Sequence, residues 1–377
     1  MQVKGPFFTV LTVFLVLVTS SGSEAVDTAE IDAVRSKGVL GSEDLRIIDR
    51  FVGEAVDELV QTRDFTSVAR VRTVILSRSS SGTASAAAQY AEQFSDSAHR
   101  YISRGFDRAS GLTPEERRYK AILNLLILAD GLEDLRLADL AMKWLNDDNA
   151  IIRYWAVHSV TNGGFIKKLN TAEGGNPGLA SEIAGQLKGL VESGGSEELA
   201  LMAQFGGGVN VPEAEELLLQ ITDVRMSRYV DWTVEYELLD SAILKLLDSK
   251  IPSSGQANVE IARRFAQLYS YAIQRYVKGR DDFLSAEQKH QLASVLVETE
   301  VFCVSKRTRI AQAVIKKAVE QEDYVALLAE HNRLLGDETR AGQLPSTLNF
   351  DYGENPDSSR RTAPLALPEP PREQVSQ

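Results

Sequence analysis

Apolar side chains recur along most of this chain with the three-to-four-residue spacing of a helix face. Between residues 42 and 62, Leu45, Ile48, Phe51, Val52, Ala55, Val56, Leu59 and Val60 share one face, and Ser42 is placed to cap the first turn. Thr113-Pro114-Glu115-Glu116 has the form of a helix start, with a cap hydroxyl, proline in the first turn and a carboxylate to close a capping box. The segment it opens is apolar nearly all round (Ile122, Leu123, Leu125, Leu126, Ile127, Leu128) and ends at Gly131, as expected of a helix lying between two others. Phe265, Leu268, Tyr269, Ala272, Ile273 and Tyr276 form another stripe, which Tyr271 falls off.

The same pattern predicts helices near 28–37, 66–78, 84–104, 133–145, 149–162, 179–192, 196–205, 212–222, 233–249, 257–277, 285–304, 306–320 and 323–335. The breaks are short and rich in Gly, Asn, Asp and Ser, and Gly163-Gly164 and Gly206-Gly207-Gly208 are expected to be inter-helix turns. Residues 71–77 are β-branched, but no partner strand accompanies them. The expected fold class is all-α, an α-solenoid of helix pairs over residues 26–340.

Residues 145–156 sharpen that expectation. Leu145, Asp147, the aliphatic–arginine pair Ile152-Arg153 and Ala156 stand in the order leucine, x, aspartate, aliphatic–arginine, alanine. The stretch resembles the inner turn and second helix of a HEAT repeat. The resemblance implies structural roles: Asp147 braces the second helix, Arg153 reaches an acidic or carbonyl group nearby, and Ala156 allows close helix approach. It also implies a period of about 45 residues. One period on from Arg153 stands Glu198, so the arginine is not repeated there.

Proline divides the chain further. Of 11 prolines, six crowd the end (Pro345, Pro356, Pro364, Pro368, Pro370, Pro371), and one, Pro6, lies in the first apolar block. Residues 7–18 are apolar behind Lys4, and Ser23-Glu24-Ala25 places small residues for a cut after Ala25. That is the layout of a signal peptide over residues 1–25, with the mature protein secreted or periplasmic and without an integral membrane segment. The absence of an N-x-S/T sequon favours the periplasm or a cell surface. The tail, 341–377, is expected to be disordered, since its Pro, Ser, Arg and Glu content buries little apolar surface by itself. Pro368 to Pro371 also match PxxP.

Charge and chemistry narrow the function. A net charge of −12 disfavours nucleic acid as a partner. The single Cys303 lies on a helical stripe with Leu292, Val295, Leu296, Thr299 and Phe302 and is expected to be buried. The four histidines form no HExxH, and no Walker A, GxSxG or GxGxxG sequence occurs, so no catalytic, metal or cofactor residue is assigned. Paired acids for a glycoside hydrolase or lyase are available among Asp147, Asp148, Asp231, Glu235, Glu237, Asp281 and Asp282, but with few aromatic platforms. A basic strip runs through Arg263, Arg264, Arg275, Lys278, Arg280, Lys289, Lys306, Arg307, Arg309, Lys316 and Lys317. Within it, Arg307, Arg309, Lys316 and Lys317 form the candidate binding surface. The leading expectation is an exported scaffold for a protein or peptide partner, with an α/α enzyme and a structural envelope component as rivals.

Overall fold

In a computed structural model of the chain, residues 27–171, 175–252, 258–279, 283–309, 313–356 and 358–371 are described. The expected signal peptide, Arg280, Asp281, Asp282 and the last six residues of the tail lie outside them. The chain forms two compact units, Met1–Tyr101 and Ile102–Gln377, where the sequence pattern predicts one continuous helical body.

The first unit contains α1 (Ala29–Arg35), α2 (Ser42–Gln61), α3 (Phe65–Leu76) and the beginning of α4 (Ala87–Ser110). The β-branched residues 71–77 fall within α3 and the turn after it, and Asp64 caps that helix by accepting from the Ser67 amide at 2.7 Å. On α2, Asp49 receives the Ser97 hydroxyl at 2.7 Å and the Tyr101 hydroxyl at 3.0 Å.

The second unit continues α4 and adds α5 (Glu115–Leu132), α6 (Ala138–Met142), α7 (Ala150–Thr161), α8 (Gly163–Leu169), α9 (Pro177–Lys188) and α10 (Ser196–Gly208). There follow α11 (Pro212–Val230), α12 (Leu238–Lys250), α13 (Val259–Lys278) and α14 (Ala286–Thr299). A π-helical turn (Glu300–Val304) carries α14 into α15 (Ser305–Thr308), and α16 (Val314–Glu320) and α17 (Tyr324–Leu335) come next. The two-residue strands β1 (Gly336–Asp337) and β2 (Arg340–Ala341) pair antiparallel before α18 (Gln343–Leu348).

These helices pack in two rows. One runs α7, α10, α12, α14, and the other α9, α11, α13, α17. Pairs such as α10 with α11 and α12 with α13 join the rows. The first row begins at residues 150, 196, 238 and 286, steps of roughly 45, the length of one HEAT-type helix pair. This is the all-α, helix-pair solenoid the sequence predicts.

Three local expectations change. Gly206, Gly207 and Gly208 end α10 rather than forming a turn. A Cβ on Gly206 would stand 2.9 Å from the Ala214 carbonyl oxygen, so glycine lets α11 lie against α10. Gly163 and Gly164 open α8, whose cap, Asn162, accepts from the Phe165 amide. Pro114 is the residue before α5, which leaves Thr113 one position too far out to cap it.

The largest correction concerns the tail. Residues 341–356 and 358–371 are ordered: α18 buries Leu344 and Leu348, and Phe350, Tyr352 and Leu367 are also buried. The Tyr352 hydroxyl donates to the Leu335 carbonyl at 2.9 Å, and Arg263 of α13 donates to the Asp351 carbonyl at 2.8 Å. A tail too poor in apolar surface to fold alone gains order from the helices that receive it.

Candidate functional site

α13 is the most enclosed helix described, buried from Ile261 to Val277 on nearly every side. Its apolar stripe meets neighbouring helices, and Tyr271, off that stripe, is buried too, stacked 6.2 Å from Tyr229 of α11. On another side of the helix a different set recurs. Gln267, Ser270, Gln274 and Lys278 stand at i, i+3, i+7 and i+11, a polar column within one helix face.

Residues 364–369 lie along this column. The Gln267 side chain accepts from the Leu365 amide at 2.8 Å and donates to the Leu365 carbonyl at 3.2 Å. Gln274 donates to that carbonyl at 3.1 Å and accepts from the Leu367 amide at 2.6 Å. Lys278 donates to the Leu367 carbonyl at 2.6 Å and pairs with Glu369 at 2.7 Å. Trp232 closes the row, its indole N–H donating to the Pro368 carbonyl at 3.1 Å. From Gln267 to Lys278 the helix rises ~16 Å, so a segment following it from Leu365 to Glu369 is close to extended. The segment has no helix or strand pairing of its own.

The bonded positions alternate, 365 and 367, as in an extended strand. Prolines 364, 368, 370 and 371 occupy positions from which no amide hydrogen is taken, so their missing N–H groups cost nothing here. Only Leu367 is deeply inserted, at 1% exposure, whereas Leu365 is 46% exposed.

Gln274 is itself held. It donates to Ser270 Oγ at 2.8 Å, and Ser270 faces His331 Nε2 at 2.8 Å. Ser270 therefore gives its proton to His331, and the remaining imidazole N–H, on Nδ1, meets Asn332 Oδ1 at 2.9 Å. Burial holds the His331 pKa below its ordinary value, consistent with this neutral tautomer.

Beneath Trp232 lies a charged floor. Arg225 makes a two-pronged pair with Asp240 (2.8 and 2.9 Å), fully buried on both sides, and the Tyr229 hydroxyl adds a third bond to Asp240 at 2.7 Å. Arg275 meets Glu237 at 3.3 Å and sits under the Trp232 ring at 5.2 Å and the Tyr229 ring at 5.8 Å. Its Nε and Nη1 have no hydrogen-bond partner among the described residues, so the ring faces carry part of its charge. Burial pushes the Glu237 carboxyl up, with Arg275 pulling the other way. Trp232 and Tyr236 both hold left-handed backbone angles, with φ of 59° and 55°, in the loop that supplies this floor.

The residues singled out in sequence have varied fates. Leu145, Ile152 and Ala156 are buried. Asp147 accepts from the amide of Asn149, the residue that caps α7. Arg153 donates to the Asp147 carbonyl at 3.1 Å and to Glu198 of α10 at 2.9 Å. The glutamate found where a second arginine would fall is thus the arginine's partner.

The basic strip is largely consumed by ion pairs. Arg307 is withdrawn from the candidate surface: only 8% exposed, it donates to Asp248 and to the carbonyls of Asp248, Ile251 and Pro252. Arg264 pairs with Asp223, and Lys306 with Asp248. Arg309, Lys316 and Lys317 are exposed.

Of the candidate acids, Asp231 and Glu235 are exposed, while Glu237 is committed to Arg275. Cys303 is buried, its thiol pushed up to about 12 by burial. His158 lies 2.8 Å from Asp130, which raises its pKa through that hydrogen bond. Among the described residues there is no group of three metal-ligating side chains and no helix long and apolar enough to cross a membrane.

The polar column on α13 was not anticipated as a site. Its signal was present as uncharged Gln, Ser and Gln at helical spacing between charged residues at either end of the helix, a composition unlike that of an ordinary solvated face.

In sequence, the chain matches no known protein family and no curated protein. Among solved structures, it is similar to the crystal structure of Kap121p bound to Ste12p, with a TM-score of 0.39 and 12% identity over 81% of this chain and 33% of that one. The chain thus spans about a third of that structure's length, and a likeness this slight bears on neither mechanism nor partner.

Proposed function

We propose that the chain is a helical-repeat scaffold that acts outside the cytoplasm by holding a protein or peptide partner, without catalysis of its own. One observation carries the binding part. α13 directs Gln267, Gln274 and Lys278 at the backbone of a chain segment lying along it, a way of holding polypeptide that requires no pocket for each side chain. Row packing supports it further, because a helix-pair array exposes a long surface while each pair is buried by its neighbours. The extracytoplasmic part is supported by the apolar run at 7–18 and the small residues before position 26.

Affinity capture from the source organism's own envelope extract tests the binding part, with wild type set beside a Gln267→Ala/Gln274→Ala variant of unchanged circular dichroism. A defined partner retained by the wild type and lost from the variant is expected. Identical retention by the two places binding away from α13, and retention of no partner by either sinks the reading. N-terminal sequencing of exported protein should begin at Val26, and accumulation in the cytoplasm with residues 1–25 attached would count against export.

A further inference from the structure

We infer that the face of α13 between Gln267 and Lys278 is an exchangeable peptide-recognition site, that residues 364–369 are its resident occupant, and that its external ligand is an extended partner segment of the form proline–any–any–leucine–proline–acidic. The inference rests on the scaffold reading above and names the chemistry of its partner.

Three observations support exchange. First, six hydrogen bonds join the side chains of Gln267, Gln274, Lys278 and Trp232 to main-chain atoms of Leu365, Leu367 and Pro368, four accepted by carbonyls and two donated by amides, groups that most polypeptides present. Second, sequence is read at few places. Leu367 is the one deeply buried side chain, Glu369 meets Lys278, and the side chains of Leu365, Ala366 and Pro368 are exposed. Third, the flanking prolines restrict the free segment to extended forms, so little freedom is lost on docking, and they stand where the site takes no N–H.

The receiving groups are also fixed before any ligand arrives. Ser270 and His331 hold Gln274, and Trp232 is set above Arg275 in a left-handed turn. Tethering raises the effective concentration of the resident segment to a value on the order of millimolar or more. An outside peptide of equal intrinsic affinity therefore competes poorly until the resident is released.

The test uses the full chain and a fluorescein-labelled peptide of residues 362–371 (TAPLALPEPP). Binding by fluorescence anisotropy is measured for wild type, for Leu367→Asp, and for Leu367→Asp combined with Gln267→Ala/Gln274→Ala. Leu367→Asp is expected to bind the peptide saturably and at least tenfold more tightly than wild type. Adding the two glutamine substitutions should weaken binding at least tenfold, and a peptide carrying Asp in place of Leu367 should not bind.

If Leu367→Asp loses helical circular dichroism, Glu369→Lys serves instead. It alters only an exposed residue, breaks the Lys278 pair, and should produce the same order with a smaller ratio. Equal binding by wild type and released variant, binding indifferent to the glutamines, or no binding at all overturns the inference. A concentration-dependent dimer formed by tail exchange also overturns it, in favour of a second copy as ligand. Because the probe is the chain's own sequence, this result is independent of envelope capture: a captured partner with no peptide exchange would place binding elsewhere on the scaffold.

Discussion

Two rungs of the second unit use polar side chains in opposite ways. Between α7 and α10, Arg153 is satisfied by the Asp147 carbonyl and Glu198, and Glu198 also accepts from the Gly195 amide, so the polar groups join one repeat to the next. On α13, Gln267, Gln274 and Lys278 spend theirs on a segment about 90 residues further along the chain. The packing is alike; the use of the face is not. Repeats that close their hydrogen bonds among neighbours build the array, and a repeat that leaves a column of amides facing outward can hold another chain.

The comparison predicts where stability resides. Replacing Asp240 by Ala leaves Arg225 as a buried unpaired charge and strips a bond from Tyr229, so chemical denaturation should show a loss of about 3–5 kcal/mol. A loss near 1 kcal/mol would mean that water enters the floor and solvates the unpaired guanidinium. Next in size is Leu367→Ala, which should cost the second unit about 2 kcal/mol, the low end for a buried leucine, because only one side chain of the segment is inserted. In the wild type, the Leu365 and Leu367 amides should exchange with deuterium slowly and the Ala366 amide fast. Uniformly fast exchange would restore the disordered tail.

Such a result would also bear on what was legible. Helix pairing and the structural role of Arg153 follow from periodicity and from one short signature, because these are local patterns. The folded tail does not. Composition measures what a segment can bury by itself, and Leu367 is buried against α13, nearly a hundred residues earlier. Arg307 was misplaced for a similar reason. Charge along a sequence does not show that Asp248 and three carbonyls converge on one guanidinium.

Helix contact offers a finer contrast. Gly206→Ala should cost about 1–3 kcal/mol through overpacking, since its Cβ would press on the backbone of α11 at Ala214 and Leu218. Gly185→Ala, in α9, meets nothing within 4 Å and should stabilise by up to about 1 kcal/mol through helix propensity. Equal effects in thermal melts would show that α10 and α11 do not depend on glycine for their approach. Arg153→Ala should come lower, at about 1 kcal/mol, because its ion pair is partly solvated.

The smallest effect separates the two rungs by pH. His158, hydrogen-bonded to Asp130 beside α7, has its pKa raised above the ordinary 6.5. Its contribution to stability is full below pH 6.5 and is lost as pH rises through the folded value. His331, behind α13, has its pKa lowered from 6.5 by burial. Below pH 6.5 the unfolded chain binds a proton that the folded chain refuses, so this group weakens the fold as pH falls. Imidazole resonances followed by NMR should therefore titrate on opposite sides of 6.5. In denaturation series His158→Gln should lose stability at pH 5.5 but little at pH 8, whereas His331→Gln should flatten the acid side of the profile. If both imidazoles titrate at 6.5, the Ser270–His331 link does not persist in solution, and Gln274 holds the segment without that support.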